Sequence, residues 1–200
     1  GGYLFLKGEF YHLHDGSQAS PKKKTELRIE LRRVAMESTF GDYCFNDSKG
    51  LYLYECTLGR KTLSNSHYPT LVNCELGGGS LEGADQVLLF KSGNLLEGIY
   101  KPKRAILIGQ DPGHMDWESG DVVILTTRVK RGLSKKVQEV HQVSSSFLNK
   151  VQRHLEESGE KMRSTDAKGI RKLASEARED LLDMCGKYTD VVNDWPPNLN

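Results

Sequence analysis

A chain of 200 residues can bury one core of ordinary size, and its formal net charge of +1 excludes a uniformly basic coat for nucleic acid. Its apolar share of 37% suffices for a core, and no apolar run approaches the length needed to cross a bilayer. Four cysteines, Cys44, Cys56, Cys74 and Cys185, form no C-x-x-C pair, which argues against a structural zinc site and toward a reducing, intracellular setting.

Residues 3–14 open with a largely apolar and aromatic segment that ends at the Asp15-Gly16 turn signal. Residues 17–24 read as a polar loop. In residues 25–36, Leu27, Ile29 and Leu31 alternate with Arg28, Glu30 and Arg32, the pattern of a half-buried strand. Residues 42–45 and 51–58 predict a strand pair, and 70–76 another strand. The run GGGS at 77–80 reads either as a natural surface loop or as an engineered linker between two segments. It lacks the Gly-Lys-Ser/Thr ending of a phosphate-cradling P-loop. Strands resume at 86–91, 98–109 and 122–129.

A helix is expected from Ser134 to about Gly159, with Val137, Val140, Val143, Phe147, Val151 and Leu155 as one stripe. A second helix, capped by Asp166, carries Ile170, Leu173, Ala174, Ala177, Leu181, Met184, Cys185 and Tyr188. No internal repeat stands out. The domain division is a β-rich body at 1–133 and a helical segment at 134–200 that packs on it.

About seven or eight short strands without intervening helices predict an α+β fold built on an antiparallel barrel or sandwich. The order of such strands followed by a C-terminal helix resembles the pleckstrin-homology-like architecture over roughly the first 155 residues. The resemblance implies a protein-binding or phosphoinositide-binding role, with a basic first loop at Lys22, Lys23 and Lys24.

No catalytic signature, cofactor motif or complete metal set is visible. His12 and His14 beside Asp15 are the most enzyme-like local pattern, and a metal- or His-dependent hydrolase is the third reading. The first is a non-catalytic scaffolding module of a larger assembly, nuclear rather than cytoplasmic. A protein partner or a second copy would dock on Ile170, Leu173, Ala177, Leu181, Met184, Tyr188 and Trp195. The second reading is a domain binding nucleic acid or phosphoinositide through basic loops. Its candidate contacts are Lys22, Lys23, Lys24, Lys101, Lys103, Arg104, Arg128, Lys130 and Arg131.

Overall fold

The computed structural model describes residues 8–9, 34–93, 99–110, 116–117, 121–129 and 137–195. Its organising feature is a stack of parallel strands. Val34 pairs with Tyr52, Tyr52 with Thr70, and Thr70 with Leu88. Side chains follow the same step: Thr62 Oγ1 lies 2.9 Å from Ser80 Oγ, a separation of 18 residues. Each coil of about this length returns the chain to a position directly above its start, and the result is a parallel β-solenoid.

The main wall is a seven-stranded parallel sheet. In chain order it holds β2 (Val34–Met36), β4 (Tyr52–Tyr54), β6 (Thr70–Val72), β8 (Val87–Phe90), β10 (Ala105–Ile108), β12 (Val122–Thr126) and β13 (Val137–Gln142). The second wall stacks β1 (Gly8–Glu9), β3 (Ser38–Phe40), β5 (Thr57–Leu58) and β7 (Glu75–Leu76). Its outward side chains Thr39, Thr57 and Glu75 are exposed. The third wall is mostly turns. It is tied by parallel bridges from Lys49 to His67 and from His67 to Asp85, and by the pair β9 (Ile99–Tyr100) and β11 (Asp116–Trp117).

The antiparallel barrel or sandwich of pleckstrin-homology-like order is therefore corrected: every strand pair among the described residues is parallel. A parallel connection needs a crossover of a dozen residues or more, which the sequence reading looked for as helix. Here the crossover is the rest of the coil. The repeat that did not stand out is real as well. Ala35, Leu53, Leu71, Leu89 and Leu107 occupy one inward column, and Phe40, Leu58 and Leu76 another. Ser38, Cys56, Cys74 and Ser92 form a buried column of small polar groups that bond nearby carbonyls.

Coil corners take left-handed backbone. Glu37, Glu55, Asn73, Lys91 and Gly109 follow the main-wall strands with φ of 49°, 52°, 51°, 44° and 75°. Residues 77–80 sit in register with the coil before them. Gly77 N donates to Leu58 O at 2.9 Å, and Lys61 N donates to Gly78 O at 3.1 Å.

The main wall is buried on both faces. Its inner residues meet the solenoid interior. Its outer ones, among them Met36, Tyr54, Val72, Phe90, Ile108 and Leu125, meet two helices. These are α1 (Ser145–Arg163) and α2 (Ala167–Cys185), followed by a 3-10 turn at Asp190–Asp194. The expected helix start at Ser134 is corrected. Residues 137–142 extend the sheet, with Val140 beside Ile124, and α1 begins after Ser144, whose Oγ accepts from Phe147 N at 3.0 Å. Three β-branched valines at helical spacing also suit a strand, and an open parallel edge decided the outcome. Nor does Gly159 stop α1. A Cβ there would lie 3.0 Å from Tyr54 Cζ, so the glycine lets the helix approach the sheet. Asp166 caps α2 as expected, accepting from Gly169 N at 2.7 Å.

Candidate anion cleft between helix and solenoid

On α2, Arg171, Ala174, Ser175 and Arg178 fall at i, i+3, i+4 and i+7, hence on one face. The two small residues leave a gap between the two long cationic ones. Across the gap stands the solenoid corner made by Lys49, Gly50, Leu51 and Tyr52, with Val34 of the strand before and Tyr68 and Thr70 of the next coil. The cleft opens to solvent and measures ≈ 160 Å³. Lys49 Nζ lies 5.9 Å from the Tyr68 ring centroid, which holds that cation at the rim.

Arg178 is the unusual member, with 2% of its surface exposed. Its Nη1 donates to Thr70 Oγ1 at 2.9 Å, Pro69 O at 3.2 Å and Tyr68 O at 3.3 Å, and its Nη2 donates to Gln86 O at 2.8 Å. All four acceptors are neutral. The Trp195 ring stacks on it, with 6.0 Å between guanidinium carbon and ring centroid. Burial pushes its pKa down to about 9, so it remains a cation at neutral pH. Among the described residues its Nε finds no hydrogen-bond partner, and neither does the buried hydroxyl of Tyr52. A buried charge is costly unless paired. Among the described residues, the lining thus holds the side chains of Lys49, Arg171 and Arg178 and no carboxylate, histidine or cysteine. Chemically it can donate hydrogen bonds and neutralise negative charge.

The helical residues assigned to partner docking lie elsewhere. Ile170, Ala177, Leu181 and Trp195 are buried in the layer between helices and sheet, with Leu173, Met184 and Tyr188 packed against it. Of the basic candidates, Arg104 is held by Asp85, with Nε and Nη2 each 2.7 Å from a carboxylate oxygen. Lys101 and Lys103 are exposed on the same coil, and Arg128 is exposed after β12. Lys22, Lys23, Lys24, Lys130 and Arg131 lie outside the described residues, as do His12 and His14. Among the described residues no three His, Cys, Asp or Glu side chains are placed to hold a metal ion. No helix described is long and apolar enough to cross a membrane.

Sequence reasoning missed the cleft because its cations are scattered, at 49, 171 and 178, rather than clustered. The available signal was the pair Arg171 and Arg178 flanking Ala174 and Ser175 beside an apolar stripe. No family model, curated protein or solved structure matches the chain.

Proposed function

We propose that the protein is a non-catalytic interaction module of a larger assembly, and that it grips a protein partner at the cleft between α2 and the solenoid corner. The observation that carries this is Arg178, a buried cation with only neutral acceptors, at the back of an open recess. The donors there suit holding a ligand, and among the described residues the lining offers no His, Cys or carboxylate to relay a proton. The solenoid supplies rigidity, since each coil is fixed by its neighbours. An intracellular setting, nuclear rather than cytoplasmic, is supported by four free, buried thiols and by the short Lys/Arg runs beside Pro21 and Pro102. Nucleic-acid or phosphoinositide binding through the basic loops has less support, because Arg104 is already committed to Asp85.

Ser175 is exposed, so Ser175→Glu sets a carboxylate between the two arginines at little cost to stability, within about 0.5 kcal/mol. The full chain as bait in a cell extract should lose its stoichiometric protein partner, at least tenfold, on Ser175→Glu while its circular dichroism is unchanged. Undiminished capture by the variant overturns the reading.

A further inference from the structure

We infer that the outer edge of β13 pairs with the same edge of a second copy of this chain, antiparallel about a two-fold axis at Val140. This surface is separate from the cleft, and the inference does not rest on what the cleft holds.

The two ends of the seven-stranded sheet differ. At one end β2 is buried at all three of its residues. At the other, β13 has six residues and none of them is buried. Among the described residues β13 pairs only with β12. Val129, 52% exposed, lies on the coil that leads into it. An uncovered strand edge is a template for another strand, and such edges are ordinarily blunted by lysine or proline. β13 carries neither. Its bulge falls at the start of the strand, and from Glu139 to Gln142 the register with Val123 to Thr126 is unbroken.

The direction of the backbone selects the axis. Val143 N donates to Thr126 O at 2.9 Å. Peptide groups alternate along a strand, so Glu139 and His141 also turn theirs toward β12, while Val140 and Gln142 turn N–H and C=O outward. Two copies meeting at Val140 therefore exchange both of its outward bonds.

The side chains select the same axis. Residues 137–143 read VQEVHQV, the same in either direction except that Glu139 mirrors His141. Laid antiparallel on itself about Val140, the segment sets valine on valine, glutamine on glutamine, and each glutamate on the other copy's histidine. The Glu–His positions are the non-hydrogen-bonded pairs, where facing side chains come closest. Within one copy Glu139 Oε2 already lies 2.7 Å from His141 Nε2, so the dimer closes a ring of alternating carboxylate and imidazole. Moving the axis by one residue sets glutamate on glutamate or histidine on histidine, which is unfavourable. A foreign strand does not call for a mirror-symmetric edge; a two-fold contact between identical chains does.

The test is sedimentation of the full chain over a wide range of concentration. We expect a reversible monomer–dimer equilibrium without larger species. Glu139→Lys and His141→Glu should each weaken the dimer about tenfold, because each altered pair occurs twice. Mixing the two variants should restore dimer, since lysine then meets glutamate and histidine meets glutamate across the edge. Val140→Pro removes an outward N–H and no bond to β12, and it should abolish the dimer while circular dichroism stays unchanged. A dimer that all three variants leave intact overturns the inference, as do two charge variants that dissociate and fail to recombine. A chain that is monomeric throughout also overturns it. Slow amide exchange at Val140 in that monomer then assigns the edge to another segment of the same chain, and fast exchange leaves it to a foreign strand.

Discussion

Asp85 and Arg104 show what a residue-level reading finds and what it misses. Arg104 was visible as part of a basic run, but its partner lies 19 residues earlier, one coil back, and only the solenoid period brings the two together. The hydrogen bond from Arg104 holds the Asp85 carboxyl below its usual range, against the opposing effect of burial. A carboxyl lowered on folding stabilises fully above its unfolded value, near 4, and the benefit fades as pH falls through the lower folded value. The Arg104 side chain is 36% exposed, so solvent screening limits the pair to about 1 kcal/mol. Asp85→Asn should therefore lower Tm by about 2–4 °C at pH 7. As pH falls from 4 toward 2, the gap between wild type and variant should narrow. A gap of equal size at pH 7 and pH 2 would mean that packing, not the charge, is what the substitution removes. Arg178 was less legible than Arg104. A lone arginine on a helix reads as surface, and nothing local announces that three carbonyls and a threonine hydroxyl of a distant corner await it.

At the scale of elements, the positions of strands were readable and their partnership was not. Residues 51–58 and 70–76 were each read as one strand, yet each bends at a left-handed residue, Glu55 or Asn73, into two walls. Glutamate at a positive φ carries no turn signature, so the corner was invisible. The alternation rule also failed for a physical reason: main-wall strands are buried on both faces and show no polar side. Glycine spacing held the missing clue. Gly41, Gly59 and Gly77 recur at the coil period, and a Cβ on Gly77 would lie 2.5 Å from Gly59 C and 2.6 Å from Arg60 N. Those neighbours are backbone and cannot swing aside. Gly77→Ala should cost about 1–3 kcal/mol in urea unfolding, the range for forced overpacking. A glycine in a flexible linker would tolerate alanine, so a neutral result would detach residues 77–80 from the stack.

For the molecule as a whole, the question is what the helical hairpin is for. The sequence showed its apolar stripe plainly but not the surface that meets it, because a solenoid wall hydrophobic on its outer side was not among the folds considered. In the structure that wall and the stripe form one continuous layer, and Leu181, 1% exposed, lies within it beside Ala177 and Cys185. The hairpin is also tied by polar contacts. His154 Nε2 lies 2.8 Å from Asp180 Oδ2 between the helices, and Thr189 Oγ1 donates to Glu139 Oε2 on β13 at 2.8 Å. Hairpin and solenoid should thus unfold as one cooperative unit, although repeat stacks with independent coils can melt in stages. Leu181→Asp tests this. It removes a buried side chain worth about 2–5 kcal/mol and places an unpaired carboxylate in an apolar layer. The loss is comparable to the whole stability of a domain of this kind, about 5–15 kcal/mol. We expect the variant to lose its β signal together with its helical signal and to elute as aggregate, because the outer wall is uncovered. A soluble variant that keeps the β signal and loses only the helical one would show that the solenoid stands alone and that its outer wall is free to meet another protein.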